Sequence, residues 1–337
     1  MGTRTVWWRR SEIAAMLLLA WPVQGAAQDP VYRRYTRDDG LPSNMVYCAM
    51  QDRDGFMWFA TDAGVSRFDG HSFTNYGLSD GVMDNEVIWC QQDSRGRIWL
   101  LLLNGKLCYY LDGRFHNERT DPWLHLEHPS AGWHSMVEEA DGHIWMGGIS
   151  GGLLRLRPDL HVDTLLHFKG DAVGVFSVAH DRNGEVLIWR SGKVCRWRDR
   201  RLEVLYELND LGLGALFHDP PARGLDPLLI TRDGIVGMRP TGAVPIGARH
   251  ERDLAISNRC WYDREGNIWI HRKDRGIELV PEEGGAHGTV RILFGEENVN
   301  NMMLDRSGNQ WFCTQHGVLL STSAERSTRV FLGSGRE

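Results

Sequence analysis

One phrase recurs down most of this 337-residue chain, and its recurrence restricts the fold more than any other feature. DRDGFMWFATDAGVSRFDG at 52–70 returns as DSRGRIWLLLLNGKLCYYLDG at 93–113 and as EEADGHIWMGGISGGLLRL at 138–156. DRNGEVLIWRSGKVCRW at 181–197, DREGNIWIHRKDRGIELV at 263–280 and DRSGNQWFCTQHGVLLS at 305–321 complete the visible copies. Aligned on the strand that follows each turn, Trp58, Trp99, Trp145, Leu187, Trp269 and Trp311 fall in register, and Leu228 bisects the one double-length gap. The seven positions are separated by 41, 46, 42, 41, 41 and 42 residues.

Each copy divides into short β-rich runs. In the first these are MVYCAMQ at 45–51, FMWFAT at 56–61, VSRFD at 65–69 and SFTNY at 72–76. Helical repeats of this period would need apolar spacing of three and four, which these segments lack. A lone four-stranded unit exposes both apolar faces, whereas seven arranged radially bury them against one another. The chain is therefore read as all-β: a seven-bladed β-propeller of four-stranded antiparallel blades over residues 28–337, with a loose tail at 322–337.

Within that frame Trp58, Trp99, Trp145, Trp269 and Trp311 are expected to fill the wedges between blades, where a large ring covers much area at little entropic cost. Asp52, Asp93, Asp181, Asp263 and Asp305 are expected to accept backbone N–H groups in the preceding turn. Gly55, Gly96, Gly142, Gly184, Gly266 and Gly308 supply its tight reversal. The D-x-D-G at 52–55 is not read as a calcium loop, because Asp54 becomes Arg95, Asn183, Glu265 and Ser307 elsewhere and a hard cation wants several oxygens together. Two segments compete for the outer edge of the last blade, YRRY at 32–35 and RVFL at 329–332. The N-terminal one is favoured, since closure between distant chain ends removes a vulnerable edge.

The first 27 residues place Arg4, Arg9 and Arg10 before the apolar run Ile13 to Trp21 and then the small residues Gly25 and Ala27. That order is a signal for export, with cleavage before Gln28 and a periplasmic or secreted product. Left uncleaved, the segment would act as an N-terminal membrane anchor, although its apolar run is far shorter than the ~20 residues of a span. The six cysteines are dispersed through the repeats with no C-x-x-C pair, a placement that suits buried thiols better than bridges. A formal charge of -6 makes a nucleic-acid partner an unsuitable default.

Candidate ligand residues come from two places. Asn44, Asn85, Glu86, His134, Arg259, Asn300 and Asn301 sit where loops enter the inner strands, so a propeller carries them to one rim or to the central channel. The longest interval adds Trp123, His125, His128 and Trp133, which could line a pocket of their own. The histidine spacing there is not a zinc pattern, and no metal or other cofactor is expected. Phosphate-loop, dinucleotide, G-x-S-x-G and H-E-x-x-H motifs are all missing, so no catalytic residue is assigned and the enzyme question stays open, weighted against catalysis.

The run GLPSN followed by DRDGFMWFATDAGVSRFDG, residues 40–70, resembles the two-component regulator propeller repeat. That family occurs in extracytoplasmic input regions of bacterial hybrid sensor kinases. The resemblance implies a recognition module for a carbohydrate or other small ligand, with a membrane sensor kinase as its partner. It also implies that Asp52, Gly55, Trp58, Gly64 and Asp69 are scaffold positions and not a catalytic set. No kinase histidine motif or ATP-binding segment is present, so the chain would not transfer phosphate by itself. The alternative is a propeller lyase or hydrolase resembling streptogramin lyases.

Overall fold

Short strands punctuated by Asp and Gly turns leave the chain little choice but repeated antiparallel reversal. The computed structural model describes residues 32–127, 132–148, 152–167, 175–190, 192–208, 216–218, 224–231, 234–239, 242–246, 259–262, 268–272, 276–280 and 298–322. Their strands form seven antiparallel sheets, six of four strands and one of three. The first blade is Val46–Gln51, Met57–Thr61, Gly64–Phe68 and Phe73–Tyr76. The second runs Val87–Gln92, Ile98–Leu102, Leu107–Leu111 and Arg114–Asn117. Inner strands of the remaining blades begin at Trp133, Phe176, Leu216, Arg259 and Val299. Each blade packs on the next, and the seventh returns to the first, so the circuit closes.

Closure comes from the N-terminal segment. Arg33–Tyr35 pairs antiparallel with the third strand of the last blade, Arg33 opposite Leu320 and Tyr35 opposite Val318. The competing RVFL segment and the export signal both lie outside the described residues. Among the described residues no helix is long and apolar enough to cross a membrane.

All seven register positions point into the wedge toward the following blade. Trp58 packs with Val82, Cys90 and Leu100, Trp99 with Met136 and Met146, and Trp145 with Val178 and Ile188. Leu187 meets Leu229 and Met238, and Leu228 meets Cys260 and Ile270. Trp269 lies against Met302 and Phe312, and Trp311 against Val46 and Phe59. The copy marked by Leu228, which lacks its tryptophan, is thus a blade like the others.

The turn aspartates do more than the sequence suggested. Asp52 Oδ1 accepts the Asp54 and Phe56 amides at 3.0 and 2.9 Å, while Oδ2 accepts Trp58 Nε1 at 2.7 Å. Asp93 with Trp99 and Asp305 with Trp311 repeat the arrangement at 2.8 and 3.0 Å. One carboxylate therefore closes the turn and satisfies the only polar atom of a sealed indole. The third blade departs from this: Glu139 turns to Arg155 at 3.0 Å, and Trp145 Nε1 is buried with no hydrogen-bond partner among the described residues. A second belt joins blades on the same face. Arg306 N donates to Gln51 Oε1 at 2.8 Å, Arg53 N to Gln92 Oε1 at 2.7 Å and Ser94 N to Glu138 Oε2 at 2.7 Å.

All six cysteines are free and buried. Burial pushes the Cys108 thiol up to about 12, which leaves it inert as a nucleophile.

Candidate functional site

In an inner strand, alternation sends side chains into the two neighbouring wedges, so a residue reaches the channel only where alternation breaks. It breaks at one equivalent place in four blades. Register shifts lie between Val46 and Cys48, Val87 and Trp89, Trp133 and Ser135, and Val299 and Asn301. Each shift leaves one residue unpaired: Tyr47, Ile88, His134 and Asn300. A bulge re-aims its side chain out of the ladder, and the four bulges lie at one level of their inner strands, beside the loops that enter them; Ile88 turns into the wedge toward the third blade.

Two of them bridge to the next blade. Asn300 Nδ2 donates to the Val46 carbonyl at 2.9 Å. The Tyr47 hydroxyl donates to Glu86 Oε1. Burial holds that phenol well above its ordinary pKa, and the Glu86 bond and the Glu86 and Asp62 charges add to the effect. Among the described residues Glu86 forms no ion pair. The mouth therefore combines a neutral phenol with a carboxylate able to accept a further donor.

His134 differs from the others. Both ring nitrogens are buried and neither has a hydrogen-bond partner among the described residues. Burial lowers its pKa from 6.5 to about 4 and keeps the ring neutral at pH 7. A neutral imidazole carries one donor and one acceptor, and both are unused here.

The depressed value makes stability depend on pH. Between 6.5 and about 4 the unfolded chain binds a proton at this site that the folded chain does not. Stability is therefore complete above pH 6.5 and falls as the pH drops toward 4, by on the order of 1–3 kcal/mol. Urea unfolding at pH 7 and pH 4.5 should show this loss, and His134→Phe should reduce it. An unchanged pH difference in the variant would count against a buried neutral His134.

The other candidates are placed differently. Asn44 serves its own loop, its Oδ1 accepting Arg37 N at 2.9 Å and its carbonyl accepting Gly317 N at 2.7 Å. The Asn85 carbonyl accepts Gly64 N at 2.7 Å while its side chain is exposed. Asn301, 4% exposed, accepts Ala49 N at 3.3 Å and ties the last blade to the first. Trp133 was expected to line a pocket, but it is wholly buried and donates Nε1 to the Gly105 carbonyl at 2.6 Å. It packs a wedge and offers no surface to a ligand.

Trp123 and His125 sit away from the mouth, on the loop of the longest interval. Leu124 and Leu126 of that loop bury themselves beside Leu156 and Leu160 of the third blade. Trp123, 43% exposed, stacks on His161 with ring centroids 6.2 Å apart. His125 Nδ1 lies 2.7 Å from Glu118, whose carboxyl is held below its usual range by hydrogen bonds from Lys106 and then His125. His128 lies outside the described residues, and Arg259 opens the inner strand of the sixth blade.

Glu139, Asp141 and His143 place one ligand atom each within 4.8 Å of one another. The Arg155 guanidinium already occupies Glu139, so the group reads as an ion-paired turn. Sequence reading missed Tyr47 and Asp62. The available signal is a shift in apolar phase inside each inner strand, visible once the Val46, Val87 and Val299 segments are aligned.

Seven antiparallel sheets closed around one axis define a seven-bladed β-propeller. Residues 40–63 match the two component regulator propeller family, so the chain carries that repeat. Its fold is shared with the extracellular domain of a hybrid two component system from B. thetaiotaomicron, at 18% identity and a TM-score of 0.63 over 86% of this chain and 41% of that one. A second such extracellular domain from B. thetaiotaomicron gives 16% identity and 0.64 over 87% and 40%. The chain thus spans about two fifths of these sensor domains. Virginiamycin B lyase from Staphylococcus aureus shares the fold at 13% identity and 0.61 over 86% and 97%. No curated protein sequence matches the chain.

Proposed function

We propose that the protein is an extracytoplasmic recognition module of the sensor-propeller kind, engaging a small ligand at the channel mouth built by Tyr47, Glu86, His134 and Asn300. The observation that carries this reading is His134. A buried neutral imidazole with both nitrogens unused costs folding free energy, which a ligand supplying a donor and an acceptor would recover. The repeat at 40–63 and the shared fold with sensor extracellular domains support the location outside the cytoplasm and coupling to a membrane sensor kinase. Carbohydrates are the first ligands to test. The likeness to the streptogramin lyases is one of fold alone and adds nothing in favour of catalysis.

Calorimetric titration of the purified chain with a panel of oligosaccharides and a periplasmic extract tests the proposal. Saturable binding that weakens about tenfold or more in both His134→Ala and Glu86→Gln is expected, since the first removes both ring partners and the second the negative charge that strengthens a bond from a ligand donor. Absence of saturable binding, or binding indifferent to both variants, would sink it.

A further inference from the structure

The blade-to-blade design makes one position conspicuous. In three blades the second oxygen of the turn aspartate receives an indole N–H, from Trp58, Trp99 and Trp311. In the fourth blade the first oxygen of Asp181 behaves as usual, accepting the Asn183 and Glu185 amides at 2.8 and 2.9 Å. Six residues on, however, stands Leu187 and not tryptophan. A cavity of about 280 Å³ opens there between the fourth and fifth blades, lined by Asp181, Glu185, Leu187, Arg196, Tyr206 and Met238.

Its walls correspond to groups that surround an indole elsewhere. Tyr206 pairs with Val194 as Tyr76 pairs with Val65, and Tyr76 stacks on Trp58 at 5.9 Å with an interplanar angle of 17°. Met238 takes the position of Tyr110, whose ring lies 5.0 Å from Trp58. Among the described residues Asp181 Oδ2 meets the Arg196 guanidinium alone, at a long 3.3 Å. Arg196 Nε is buried with no hydrogen-bond partner among the described residues. Glu185 at the rim is half exposed and pairs with Arg196 Nη2 at 2.8 Å.

We propose that this cleft binds a planar, N–H-bearing heteroaromatic molecule of indole size, stacked along Tyr206 with its N–H donated to Asp181. The tryptophan that stands at the equivalent position in five of the other six blades defines the shape and polarity of the ligand. An acceptor atom on the ring system would also meet the unused Arg196 Nε. The site belongs to the face of the aspartate turns, opposite the channel mouth, and stands independently of the function proposed above.

Ligand-observed NMR titration of the full chain with indole, and with indene as a ring of the same shape lacking the N–H, provides the test. Saturable binding of indole, several-fold tighter than indene, is expected. Leu187→Trp should fill the cleft, raise the melting midpoint and weaken indole binding about tenfold or more. Asp181→Asn keeps an oxygen for the turn amides but should erase the preference for indole over indene. No saturable indole binding to the wild type would overturn the proposal, as would undiminished binding to folded Leu187→Trp. Should that variant not fold, a preference that survives Asp181→Asn overturns it equally, because the carboxylate would then not be the acceptor.

Discussion

Replacing Trp58 with alanine is expected to destabilise the protein by about 3–5 kcal/mol, as for other buried aromatic side chains cut back to a methyl group. Trp58 is fully buried between the first two blades, against Val87, Cys90 and Leu100. Its ring also stacks on Tyr76 at 5.9 Å and lies 5.0 Å from Tyr110, contacts that alanine cannot replace. The Asp52 oxygen that held the indole N–H at 2.7 Å would be left to a void or to entering water. Urea unfolding of wild type and variant measures the difference. A cost below about 1 kcal/mol would mean that the wedge collapses without loss and that the register residues are not the principal packing element.

Gly317→Ala should be nearly as damaging, through a different mechanism. Gly317 has a φ of +110°, and a Cβ there would lie 2.2 Å from the Tyr35 carbonyl oxygen. Tyr35 belongs to the strand that closes the ring, so the clash cannot be relieved without loosening that strand. Left-handed backbone alone costs a non-glycine residue roughly 1–2 kcal/mol, and displacement of backbone adds to it, for a total of about 2–4 kcal/mol. Gly64 faces the Tyr76 oxygen at the same 2.2 Å, but Phe73–Tyr76 is the outer strand of the same blade and follows directly in the chain. The distinguishing result is local: Gly317→Ala should speed proteolysis near Arg33 and Arg34 more than cleavage elsewhere. Uniform acceleration along the chain would argue that the N-terminal strand opens only with the whole ring.

The two sites differ in how they arise from the same repeat. The channel mouth uses a feature present in several copies, a bulge, and varies the residue placed on it. The cleft beside Leu187 comes from a position where the repeat has lapsed. Both follow from one property of propellers: every blade offers an equivalent position, so a local change in one copy is held in place by its neighbours.

Blade number, strand order, the wedge-filling role of the register residues and the seat of the N-terminal strand could all be read from the chain itself. The reason is physical: a repeat of about 40 residues whose units cannot bury their own faces has few ways to stack, and its period is written in local residues such as Asp52, Gly55 and Trp58. Glu86, His134 and Asn300 could be placed near the loop-bearing rim by the same logic. The bulges at Tyr47 and His134 leave only a shift in apolar phase in the sequence, and where the displaced side chain goes depends on pairing with another strand. The burial of Trp133 could not be read there, nor could the indole N–H bonds to Asp52, Asp93 and Asp305, since residues six apart meet only after a turn has closed. The cleft at Leu187 is the clearest case: a tryptophan missing from a repeat is visible in the sequence, but whether its space collapses or stays open is settled only by how two whole blades pack.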